Sequence, residues 1–169
     1  MAAHLLVEQL RFARSEFKRG LEGVSEEDAV KRLGPMNCIS WIVGHMASQE
    51  TRYWLLFAQK QELHPELKAL VGYGSPASTP PLTEMWAAWE EITQAADRYL
   101  DTLTPQTMVT FFERNGRRIS ENVGTLLLRT IYHYWYHTGE AAAIRQLLGH
   151  TNLPEFVGDM AAYMYHPED

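Results

Sequence analysis

Two histidines four residues apart constrain this chain more than any other feature. They lie in Arg129-Thr130-Ile131-Tyr132-His133-Tyr134-Trp135-Tyr136-His137-Thr138-Gly139-Glu140, inside a long segment of helical period. At about 3.6 residues per turn, His133 and His137 stack on one helical face, close enough to share one metal ion. Leu126, Thr130, Ala141, Ile144 and Leu148 share that face, so the stripe is the inward one. Imidazoles on a core-facing stripe need hydrogen bonds, a metal or a catalytic reason to be there.

The rest of the chain supplies partners for that helix. Leu6, Leu10, Ala13 and Phe17 repeat at helical spacing, and Gly20 and Gly23 end a first helix. Ser25-Glu26-Glu27-Asp28 opens a short helix running to about Leu33, with Ser25 as its cap. Asn37 can cap a second long helix from Cys38 to about Lys60. On it Ile42, Met46, Gln49, Tyr53 and Leu56 form the stripe, and Trp41, Trp54, Leu55 and Phe57 widen it. Such width predicts cover on more than one side, from a second subunit in a homodimer or from the chain's own helices and loop. Glu62 to Pro81, rich in Gly, Ser and Pro, reads as a long connection.

A third helix spans about Leu82 to Leu103, broken by Thr104-Pro105. Asn115-Gly116 between β-tolerant residues signals a short hairpin over Val109 to Ile119. The fourth long helix starts near Ser120 or Asn122 and runs to Leu148, with Gly149 as its stop. Glu155 to Tyr165 can form a last short helix. The expected fold is all-α: one domain over residues 1–169, an antiparallel four-helix bundle with a small β-hairpin before the fourth helix and short extra helices.

Composition narrows the function. A net charge of −6 speaks against a nucleic-acid surface, and the one basic cluster, Arg114 with Arg117 and Arg118, sits beside a turn. One cysteine, Cys38, allows no intrachain disulfide and suits a reducing compartment. The start lacks a cationic region followed by an apolar run, and no apolar run nears the roughly 20 residues a bilayer span needs. A cytoplasmic protein with no membrane partner is expected.

An i, i+4 pair is half a metal site, and alone it is more often structural. His45, near the inward face of the second long helix, is the best third ligand; His4, His64, His150 and His166 read as solvated or locally bonded. A di-iron site would need Glu-x-x-His pairs, and none occurs. The His-Glu-x-x-His pattern, a glycine-rich phosphate loop and a Gly-x-Ser-x-Gly elbow are absent as well. Glu140, one turn beyond His137, is a candidate catalytic residue that could orient that imidazole or act as a general base; it can also be an ordinary polar residue at the helix edge. Gln49 and Arg52 follow His45 by roughly one and two turns and could approach a bound anion, although Arg52 reads first as a surface or interface residue. Tyr53, Trp86 and Tyr134 read as core, and Cys38 as buried and inert.

Two stretches carry a resemblance. Ile39-Ser40-Trp41-Ile42-Val43-Gly44-His45-Met46-Ala47-Ser48-Gln49-Glu50 and His133 through Gly149 resemble the DinB-like family, with the layout between them matching over roughly Leu6 to Gly149. The resemblance implies a four-helix bundle in which His45, His133 and His137 bind a divalent transition metal. Imidazole ligands suit zinc and nickel alike. Three neutral imidazoles leave a position open for water or substrate. Relatives include thiol S-transferases and mycothiol-dependent maleylpyruvate isomerase, so a metal-activated low-molecular-weight thiol is the leading expectation. A hydrolase using metal-activated water is the second, and a non-catalytic dimeric bundle that binds a ligand or partner is the third.

Overall fold

The computed structural model describes residues 4–164. It is mainly helical. Four long helices, α1 (Leu5–Gly20), α3 (Ile39–Glu50), α5 (Leu82–Leu100) and α7 (Val123–Leu147), are joined through short ones: α2 (Glu26–Ala29), α4 (Leu67–Val71) and α6 (Pro105–Met108). The antiparallel strands β1 (Phe111–Arg114) and β2 (Arg117–Asn122) precede α7. α1 packs along α7 and α3 along α5, while α3 also touches α7 and α4.

Local chemistry explains most boundaries. His4 caps α1 by accepting from the Leu6 N–H at 3.2 Å, and Ser25 caps α2 by accepting from Asp28 N–H. Asn122 Oδ1 accepts from Thr125 N–H at 2.8 Å and starts α7. Gly149 ends that helix at φ +82°, a left-handed conformation that costs a glycine little. The hairpin turns on Asn115 and Gly116, both at positive φ, as a two-residue turn of matching twist requires.

Several expectations are corrected. α2 stops at Ala29 rather than near Leu33, and α5 stops at Leu100 rather than Leu103. The cap of α3 falls on Cys38, not Asn37; its thiol lies 3.3 Å from Ser40 Oγ and donates to the Ser78 carbonyl instead of capping. Past Glu50 the helix widens into a π-helical segment, Thr51–Phe57. Its wider turn breaks the 3.6-residue schedule, so Leu56, placed on the inward stripe by spacing, is exposed. The supposed structureless connection carries α4, whose Leu67 and Val71 are buried against α3. Gly72 closes α4 because a Cβ there would lie 2.2 Å from the Lys68 carbonyl oxygen. After Pro154 the described residues contain a 3-10 turn at Met160–Tyr163 instead of a helix from Glu155; Tyr165 and His166 lie outside them.

The apolar width of α3 is covered within the chain. Trp41, Trp54, Leu55 and Phe57 are all buried among α4, α5 and the hairpin, and Gly44 lets Met85 of α5 approach so closely that a Cβ would sit 2.4 Å from its sulfur. The feature that suggested a second copy is thus accounted for by one. No described helix is long and apolar enough to cross a membrane.

Candidate metal centre

α3 and α7 bring His45, His133 and His137 together. One ring nitrogen from each lies within 4.8 Å of the others. His133 Nε2 and His137 Nε2 are 2.9 Å apart, and the His45 ring centroid is 5.0 Å and 5.3 Å from those of His133 and His137. Trp41, one turn before His45, stacks on its imidazole with centroids 4.5 Å apart.

Every Nδ1 is already engaged. His45 Nδ1 is 2.8 Å from the Val71 carbonyl, His133 Nδ1 is 2.7 Å from Gln49 Oε1, and His137 Nδ1 is 2.7 Å from Glu140 Oε2. A carbonyl, an amide oxygen and a carboxylate only accept, so each Nδ1 donates and each Nε2 keeps its lone pair. Three lone pairs then converge, two of them at 2.9 Å. Neutral lone pairs repel at that distance unless a proton or a cation lies between them. A proton on His133 is disfavoured: burial, then the neighbouring His137 and His45 rings, push its pKa down to about 3. Burial also lowers that of His45 against the opposing hydrogen bond to Val71. The donor set therefore fits a divalent metal, whose tetrahedral Zn–N bonds of about 2.0–2.1 Å require ligand nitrogens roughly 3.3 Å apart. The three histidines could hold a metal ion.

His45 and His133 line a cleft of about 680 Å³, and His137, 5% exposed, lies behind them. The cleft is walled by α3 with its π segment, α4 and the glycine-flanked Tyr73, the hairpin's Arg114, and Arg129 of α7. A small molecule entering it meets the His45 and His133 imidazoles on its wall.

Beneath the histidines runs a buried polar network that sequence reasoning missed. Arg14 of α1 donates from Nε and Nη2 to the two oxygens of Glu50 at 2.8 and 2.6 Å, and from Nη1 to Asp97 of α5 at 2.7 Å. Tyr134 of α7 donates to Glu50 at 2.8 Å and accepts from Trp89 Nε1 at 2.8 Å. Burial opposes the Arg14 charge, but the attraction and hydrogen bonds of Glu50 outweigh it and raise the guanidinium's pKa. The network ties together the four long helices beside Gln49 and His133. One signal was available: Arg14 falls on the apolar stripe of α1, between Leu10 and Phe17.

The remaining predicted residues sort plainly. Glu140 reaches His137 and Gln49 reaches His133, so both contact imidazole rather than standing free. Arg52 is exposed on the cleft wall, its guanidinium 5.7 Å from the Tyr53 and Phe57 ring centroids. Tyr134 and Cys38 are fully buried. His64 bonds to Glu66 and Glu91, and His150 to Asp28, away from the cluster. The Val71 carbonyl was unforeseeable, because nothing local marks α4 as the partner of His45.

Residues 5–149 match the family model described as Mycothiol-S-transferase. The chain belongs to the mycothiol-S-transferase family. This is a DinB-like family, in agreement with the resemblance carried by the His45 and His133–Gly149 stretches. Membership suggests thiol S-transfer and implies a small-molecule thiol substrate. No curated protein matches the sequence.

Proposed function

We propose that this protein is a metal-dependent thiol S-transferase. The observation that carries the reading is the convergence of three Nε2 lone pairs, with every Nδ1 committed elsewhere, beside an open cleft that His45 and His133 line. In this reading His45, His133 and His137 hold a divalent metal, zinc or nickel, and α1, α3, α5 and α7 form an antiparallel four-helix bundle around it. When bound, such a cation lowers the pKa of a thiol and makes a thiolate available at neutral pH.

The chain's own residues do the rest. Val71, Gln49 and Glu140 keep the Nδ1 protons in place, so all three rings present Nε2 in one tautomer. Glu140 is a positioning residue here, because its Oε2 is occupied by His137. The cleft admits thiol and electrophile together. Sulfur attacks the electrophilic carbon, a C–S bond forms as the bond to the leaving group breaks, and the thiol proton passes to water in the cleft.

The test is metal content by mass spectrometry on untagged protein, wild type beside His137→Ala. About one equivalent of transition metal, lost in the variant, is expected, followed by turnover of small thiols with alkylating electrophiles. The only protein thiol, Cys38, is fully buried and gives no background in a thiol assay. A wild-type chain that is empty and takes up neither zinc nor nickel on titration would overturn the reading.

A further inference from the structure

The chain carries 21 acidic residues against 15 basic ones, so an even spread of charge would leave any cleft with an acidic excess. The cleft beside the histidines has the opposite balance. Among the described residues its lining contains Arg52, Lys68, Arg114 and Arg129, and Glu62 is its one carboxylate. The four cations come from four separate elements: the π segment, α4, β1 and α7. Helical periodicity in one segment therefore cannot explain the gathering. It arises where the elements meet.

Most of that charge is uncommitted. Arg129 is bonded to Glu121. His64, also in the lining, bonds to Glu66 and Glu91. Among the described residues, Arg52, Lys68 and Arg114 have no carboxylate within ion-pair distance, although acids outnumber bases over the chain as a whole. Arg52 instead lies against the rings of Tyr53 and Phe57 at 5.7 Å, a contact that holds the planar guanidinium at the wall while leaving its edge free. Fixed cations around a concave, partly apolar wall raise the local concentration of anions and offer them charge-assisted hydrogen bonds.

We infer that the cleft selects an organic dianion: one member of the substrate pair carries carboxylates that Arg52, Lys68 and Arg114 receive while its reactive atom lies toward the three histidines. This names a substrate class for the thiol-transfer reading and rests on it for its use. The anion site itself, however, can be measured without metal or turnover.

The experiment is an amide-resolved NMR titration of the full, metal-free chain with succinate and, in parallel, dimethyl succinate. Succinate is expected to shift the amides of Arg52, Lys68 and Arg114, with binding that weakens as salt is added, and the uncharged diester is not. Lys68→Gln and Arg114→Gln should each weaken succinate binding by about two- to fivefold, with Arg98→Gln, an exposed cation outside the cleft, as the unchanged control. Circular dichroism verifies that the variants fold. A further arm on zinc-loaded protein separates the carriers of the charge. Mercaptosuccinate binding about tenfold more tightly than succinate places the carboxylates on the thiol; mercaptosuccinate binding no more tightly than succinate places them on the electrophile. Diester binding equal to that of succinate, an equal effect of Arg98→Gln, or unchanged affinity in both cleft variants overturns the inference. A chain that takes up no metal but passes the succinate test refutes the transferase reading and leaves the anion site standing.

Discussion

Replacing Arg14 by Met tests the buried network. Arg14 makes two hydrogen bonds to Glu50 and one to Asp97, and Glu50 is fully buried. In Arg14→Met the Glu50 carboxylate keeps a single donor, the Tyr134 hydroxyl. Removing one partner of a buried ion pair costs about 3–5 kcal/mol, because the other charge is left desolvated and uncompensated. For a domain of this size each kcal/mol moves Tm by about 2–4 °C, so a fall of about 6–20 °C is expected. The double variant Arg14→Met/Glu50→Met removes both charges and restores apolar packing, so it should recover at least half of the loss. Urea unfolding followed by circular dichroism gives the free energies of wild type, Arg14→Met, Glu50→Met and the double variant, and calorimetry gives Tm. The two single losses would otherwise add, so a double-variant loss equal to their sum would refute the argument. So would a loss below about 1 kcal/mol for Arg14→Met, since that is the range of an exposed pair.

Gln49→Leu removes the acceptor that fixes the His133 tautomer and should cost about 10–100-fold in zinc affinity with helicity unchanged, read by competition with a chromophoric chelator. Glu140→Gln retains an acceptor oxygen for His137 Nδ1 and should lose less; equal losses would contradict the positioning role. Asp28 bears on pH: hydrogen bonds from Lys31, His150 and Ser25 hold its pKa at about 2, below the ordinary 3.8. A depressed carboxylate pKa contributes stability that is complete above the unfolded value and lost as pH falls through the folded one. Asp28→Asn should therefore lower the urea midpoint at pH 7, with the gap to wild type closing between about pH 4 and pH 2. A gap that persists at pH 2 would mean the aspartate acts through packing rather than charge.

Much of the site was legible before any tertiary structure, for local reasons. The i, i+4 spacing of His133 and His137 and the company of Leu126, Thr130 and Ile144 put both rings on the inward face, and both rings meet there. Asn115-Gly116 demanded a tight turn, Asn122 offered a cap, and Gly149 a stop. The boundary errors have a common source. Asn37 was a sensible cap by type, but the backbone chose Cys38; and a π segment, closed by bonds across five residues, leaves no mark in a 3.6-residue pattern.

What the sequence by itself determined was the four long helices, the inward face of α7 and the chemical nature of the site. Tertiary structure decided which groups complete it. Val71 reaches His45 because Gly44 lets α3 lie close to α4 and α5. Arg14 finds Glu50 across 36 positions, and Gln49 finds His133 across 84. The cleft's cations gather from four elements that share no local pattern. Periodicity within one helix sets the direction a side chain takes relative to its own axis. The atom it meets depends on the register and separation of a second helix, which packing of the whole core determines.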